Sequence, residues 1–181
     1  MNTFIALFRG INVGGHNILP MKELRAALEN LGLANVKTYI QSGNVVFQSE
    51  MSRTNSLSRD ISTAIRKSHG FAPQVLLLPL EELQQAVASN PFPEAESEPK
   101  TVHLFFLAST ASNPDVEKLE TLKTDTERFR LIDRVFYLHA PDGIGRSKLA
   151  ANVEKAIGVA LTARNWRSVN KIMSMAADLA A

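Results

Sequence analysis

Cysteine is absent from all 181 residues. Disulfides, thiolate nucleophiles, zinc fingers and iron–sulfur ligation are therefore excluded. Histidine is scarce too, with four copies. None of them stands with carboxylates or other histidines at ligand spacing, so no metal and no cofactor is expected. Long apolar runs are also missing. The stretch from Val75 to Leu80 contains Pro79 and falls far short of the roughly 20 residues that cross a bilayer. No membrane partner is expected. Residues 1–8 are apolar except for Asn2 and Thr3, but no basic segment precedes them and Arg9 interrupts them. A signal peptide is not expected, and the cytoplasm is the expected location.

A large charge of one sign is lacking as well. Twenty basic side chains face eighteen acidic ones, for a net charge of +2. The distribution is uneven: residues 1–90 sum to +2, residues 91–142 to −4 and residues 143–181 to +4. The basic C-terminal stretch can meet phosphates or simply form a solvated helix face. Hydrophobic residues make up 45% and charged residues 21%, the balance of a soluble globular chain long enough to bury a core.

The periodicity predicts a regular order of elements. Thr3 to Phe8 reads as a buried strand and Pro20 to Leu31 as an amphipathic helix ended by Gly32. A hairpin follows around Ser42-Gly43-Asn44, then a helix to Gly70, a strand from Gln74 to Leu78 and a helix from Leu80 to Ala88. Asn90 to Lys100, with three prolines and three glutamates, reads as an exposed linker. Beyond it the order returns. A strand spans Val102 to Ala108, a helix Pro114 to Lys123, a hairpin Phe129 to His139 and a helix Ser147 to Ile157. A strand from Val159 to Thr162 and a helix from Trp166 to Leu179 complete the chain.

The pattern predicts an α+β fold of two tandem ferredoxin-like βαββαβ halves. Each is an antiparallel sheet with helices on one face. The expected domains are 1–90, a linker at 91–100, and 101–181. Local likenesses such as Val46-Phe47 and Val135-Phe136 suggest an internal duplication.

Topology then groups the polar motifs. In the first half, the loop after the first strand and the central hairpin turn leave the same end of the sheet. That end collects Arg9, Asn12, Gly14, Gly15 and His16 with Gln41, Ser42, Gly43 and Asn44. Glycines let successive N–H groups face an anion, and Arg9 adds a forked donor. The architectural alternative is that Gly14-Gly15 turns the chain and Ser42-Gly43 closes the hairpin. In the second half, Arg146, Ser147 and Lys148 open one helix and Arg164, Asn165 and Trp166 another. Helix N-termini suit anions, although Ser147 and Asn165 also read as caps and Trp166 as core. The spacing of a Walker A loop is absent, and so are GxSxG and any Ser/His/Asp order. No catalytic residue is identified.

The runs Phe8 to Asn17, Tyr39 to Phe47, Gly145 to Leu149 and Thr162 to Trp166 together resemble the DUF1697 family of mostly bacterial proteins. The likeness spans essentially the whole chain. It implies an α+β fold and no particular activity. Three functions compete. The first is binding of a small anionic or phosphorylated ligand, a nucleotide among the candidates. The second is a phosphoryl hydrolase like acylphosphatase, with Arg9 and Asn44 or Gln41 as its polar pair. The third is RNA binding, which ranks lowest because Val45 to Gln48 lacks the aromatic pattern of RNA-recognition modules. No oligomeric state is expected in particular.

Overall fold

The computed structural model describes residues 1–51 and 54–181. It separates into two compact units. Unit 1 comprises residues 1–85 with 171–181, and unit 2 residues 86–170.

Unit 1 runs β1 (Asn2–Arg9), α1 (Met21–Asn30), β2 (Ala34–Tyr39), β3 (Asn44–Ser49), α2 (Thr54–His69), β4 (Gln74–Pro79) and α3 (Leu80–Ala88), whose last residues enter unit 2. The sheet order is β2-β3-β1-β4, with antiparallel pairing of β1 to both neighbours. This is the ferredoxin-like arrangement expected from the order of elements. Phe4, Ala6 and Phe8 alternate along β1 onto one face. There they pack with Leu24 and Leu28 of α1 and Leu57, Ile61 and Ile65 of α2. The helices cover this face because their apolar residues recur every three or four positions. The alternate residues Ile5, Leu7 and Val46 are buried too, so β1 and β3 read as continuous apolar runs rather than alternating ones.

Unit 2 carries a one-turn helix, α4 (Glu94–Ser97), followed by β5 (Val102–Leu107), α5 (Val116–Leu122), β6 (Arg128–Ile132), β7 (Val135–His139), α6 (Lys148–Ile157), β8 (Leu161–Asn165) and the start of α7 (Trp166–Ala180). Its sheet order, β6-β7-β5-β8, repeats that of unit 1. Phe105, Leu107, Phe136 and Leu138 meet Leu149 and Val153 of α6 in its core. On the other sheet face, the buried Tyr137 hydroxyl donates to the Ala86 carbonyl at 2.6 Å. Burial, and then the nearby Asp133 charge, push its pKa up to about 12.

Two expectations need correction. Asn90 to Lys100 is not an exposed linker throughout, because Phe92 and Ala95 are buried. Arg128, arriving from β6, sets its guanidinium 5.2 Å from the Phe92 ring centroid. The last strand does not end at Thr162 but continues to Asn165, since β5 pairs it from Leu107↔Leu161 to His103↔Asn165. Arg164 is therefore a strand residue opposite Leu104, not part of a loop that opens a helix.

Candidate functional site

At one end of unit 1, the loop 10–20 and the turn 40–43 form one fastened surface, with Asn12 as its hub. Its side-chain Nδ2 donates to the Gln41 carbonyl at 2.8 Å and to the Leu19 carbonyl at 3.0 Å. Its Oδ1 accepts from the Leu19 N–H at 2.7 Å. Asn12 itself sits in the left-handed region at φ 53°, a conformation that its short amide tolerates. Asn17, at φ 50°, ties the loop back through Nδ2 to the Gly10 carbonyl at 3.0 Å. The Phe8 N–H to Gly43 carbonyl bond at 2.9 Å closes the other seam.

Within the loop, Val13 to His16 is a tight turn closed by the His16 N–H to Val13 carbonyl bond at 2.9 Å. Gly14 and Gly15 have φ of 56° and 78°, the pair of positive values a type I′ turn demands. A β-carbon at either would meet nothing within 4 Å. Their N–H groups have no partner among the described residues, and both glycines are exposed. His16 is exposed beside them. Arg9 ends β1 at the same place, with Nη1 donating to Gln74 Oε1 of β4 at 3.3 Å.

The remaining expected residues here have architectural tasks. Asn44 is fully buried, and its Nδ2 donates to the Tyr39 carbonyl at 3.1 Å and to Ser42 Oγ at 3.0 Å. Gly43 is a glycine for want of room. At φ 80°, a β-carbon there would lie 2.6 Å from both Ile11 Cδ1 and Phe8 Cβ. Ile40, three residues earlier, carries no signal in its sequence context. It occupies the left-handed region at φ 50° while 50% exposed. For a β-branched side chain this is a true outlier, costing about 1–2 kcal/mol.

In unit 2, Ser147 Oγ accepts from the Ala150 N–H at 3.0 Å and Asn165 Oδ1 from the Ser168 N–H at 2.9 Å. Both act as helix caps. Arg146 and Lys148 stand exposed at the start of α6, whose first turn holds no acidic residue. Arg164 turns back on its own strand, donating from Nη1 to Thr162 Oγ1 and to the Ala163 carbonyl, both at 2.8 Å. Burial lowers its pKa to about 10, which leaves the guanidinium charged at neutral pH. Trp166 is buried, with its indole Nε1 unpartnered among the described residues.

Two groups escape the sequence pattern. Arg128 Nη2 donates to Glu94 Oε1 and, at 3.1 Å, to His139 Nδ1. Because a guanidinium only donates, a neutral His139 must carry its proton on Nε2. That atom and Glu94 Oε2 are buried without a partner among the described residues. The Glu94 carboxyl lies below its ordinary pKa, chiefly through its own backbone N–H and further through Arg128. The second is His103, opposite Asn165 in the β5–β8 register and 8% exposed, with Nδ1 unpartnered among the described residues. Arg128 stands 34 residues from Glu94, so no local pattern marks the first group. His103 sits in an apolar run, the one signal available.

Burial holds the His103 pKa below its usual 6.5, against the pull of a hydrogen bond with the Thr101 backbone. An unfolded chain then takes up the proton first. The contribution of neutral His103 is complete above about pH 6.5 and drains away as the pH falls below it. The melting temperature is expected to drop between pH 7 and 5, and His103→Gln to flatten that slope. Equal slopes in both proteins would refute this role.

A groove of about 460 Å³ between α1 and α2 is floored by Ala27, Leu31, Leu57 and Ala64, with Asp60 and Lys67 on its rim. None of the polar motif residues lines it. Among the described residues, no group of three or more His, Asp or Glu could hold a metal ion, and no helix is long and apolar enough to cross a membrane.

The family model described as "Protein of unknown function (DUF1697)" matches residues 1–137. The chain belongs to the DUF1697 family. That match takes in the whole loop surface of unit 1 and ends before Arg146 and Arg164, so the two C-terminal motifs lie beyond it. Among solved structures, the chain is similar to the conserved bacterial protein SP0830 from Streptococcus pneumoniae. The two share 26% identity and a TM-score of 0.72, over 97% of this chain and 98% of that one. No curated protein matches.

Proposed function

We propose that this DUF1697 protein binds a small anionic, phosphorylated ligand on the loop surface of unit 1, a nucleotide being one candidate. The supporting observation is the gathering of donors on a fastened loop. The Gly14 and Gly15 N–H groups are without acceptors among the described residues, His16 follows them in the same turn, and Arg9 ends the strand that leads into this loop. Turn N–H groups of this kind suit an oxyanion. The hub of Asn12 bonds holds them in place before any ligand arrives, which lowers the ordering cost of binding.

Arg146 and Lys148 form a second contact of the same chemical kind on unit 2. Cations at a helix N-terminus meet its partial positive charge and are unfavourable by about 0.3–1 kcal/mol each. An anion there removes that penalty.

The alternatives fare worse on specific residues. An acylphosphatase-like hydrolase needs an amide held on the sheet to orient water. The Asn44 amide is committed to the hairpin, and Gln41, the other candidate, lies in the exposed turn after β2 rather than on a strand. RNA recognition needs aromatic side chains on an open sheet face, whereas Phe106 and Tyr137 are buried.

Thermal unfolding in the presence of phosphates and nucleotides tests the reading. A ligand that binds only the folded protein should stabilise it by about 2.7 kcal/mol at a hundredfold excess over its Kd. Arg9→Ala should weaken the best of these about 10- to 100-fold, as expected for one charged hydrogen bond. No shift with any phosphate, or unchanged affinity in Arg9→Ala and His16→Ala together, would defeat it.

A further inference from the structure

Resting on that reading, we propose that the ligand carries an apolar ring or chain beside its anionic group, and that Val13, Ile18 and Ile40 receive it. Six large hydrophobic residues are exposed among the described ones, and these three are 63%, 56% and 50% exposed. Single exposed aliphatics are ordinary, but a group of them on one surface is not.

Their grouping follows from the hydrogen bonds. Val13 follows Asn12 in the chain, Ile18 precedes Leu19, and Ile40 precedes Gln41. The Asn12 side chain binds the backbone of both Leu19 and Gln41. All three aliphatics therefore flank one hub, and Val13 also opens the turn that exposes the Gly14 and Gly15 N–H groups. The donors for an anion and these exposed aliphatics are thus carried by the same two fastened loops.

Ile40 adds an independent observation. Among the described residues, every other non-glycine with positive φ is Asn or Asp: Asn12, Asn17, Asn35 and Asp133. Asparagine at position 40 would fit the same turn without strain. A strained, exposed isoleucine gains the folded chain neither burial nor backbone comfort, and strain of this kind gathers where a surface is used. An apolar part of a ligand laid on Ile40 supplies the missing burial.

Calorimetric titration with inorganic phosphate and with phenyl phosphate reads this directly. Phenyl phosphate is expected to bind at least tenfold more tightly. In Ile40→Asn, and in the double variant Val13→Ser/Ile18→Ser, the ratio of the two affinities should fall toward one. The melting temperature of Ile40→Asn should stay level or rise, which separates this effect from unfolding. Equal affinities in the parent protein, or an unchanged ratio in both variants, would overturn the apolar assignment and leave the anion site standing. Binding of neither probe would overturn both.

Discussion

Gly43→Ala is expected to lower the stability of unit 1 by about 2–5 kcal/mol. About 1–2 kcal/mol of this comes from placing a β-carbon at φ 80°, and about 1–3 kcal/mol from forcing it into a filled space. That space is occupied by Phe8 Cβ and Ile11 Cδ1, each 2.6 Å from where the new atom would sit. Neither can retreat easily. Phe8 Cβ is fixed by a strand that pairs on both sides, and Ile11 is 1% exposed. The Phe8 N–H to Gly43 carbonyl bond would be pushed apart as well. Hydrogen exchange of the β1 and β3 amides measures the loss in the unit concerned. Gly15→Ala is the control, because its φ is 78° yet its β-carbon meets nothing within 4 Å. It should lose only the backbone part. Equal losses in the two variants would mean that the close approach at Gly43 is unimportant.

Local pattern makes the order of elements legible, and the partners that set their limits lie beyond its reach. Leu80–Ala88 has the bounds read from its periodicity, because Pro79 and the apolar spacing both act locally. Leu161–Asn165 starts later and runs longer than its local pattern implies. Arg164 and Asn165 look like a helix-opening loop until β5, some sixty residues earlier in the chain, supplies the ladder that makes them a strand. Phe92 and Ala95 are hidden among prolines and glutamates for the same reason. The Phe92 ring meets Arg128 of β6 and His139 of β7.

The site divides along the same line. That Asn12 and Gln41 would meet follows from the βαββαβ topology, which sends both loops to one sheet end. Which of their atoms would be consumed does not. Asn44, Ser147 and Asn165 have the residue types of a polar site, and each spends its amide or hydroxyl on a turn or a cap. Whether such a group faces outward or inward depends on hydrogen bonds a few residues away, to which periodicity is blind. Ile40 is the converse case. An aliphatic residue at a strand end gives no hint that its backbone is left-handed.

Asn12→Gly should cost about 2–4 kcal/mol, through groups left unsatisfied rather than through lost contact area. Glycine keeps the backbone at φ 53° without penalty, so only the side-chain bonds disappear. Leu19 is fully buried, and both its N–H and its carbonyl bond the Asn12 amide. Each buried orphan costs about 1–3 kcal/mol, and the two share one partner, so the sum is not additive. The Gln41 carbonyl is exposed and can turn to water, so its loss adds little to stability. It matters to binding instead, because that bond joins the Asn12 side chain to the second loop. Phosphate affinity should therefore fall in Asn12→Gly although Asn12 offers the ligand no free atom. Asn12→Asp sharpens the test. Its carboxylate still accepts from the Leu19 N–H but sets negative oxygens against the Leu19 and Gln41 carbonyls, so it should be no more stable than the glycine variant. A loss under about 0.5 kcal/mol in Asn12→Gly, with phosphate binding intact, would show that the two loops hold their places without the hub.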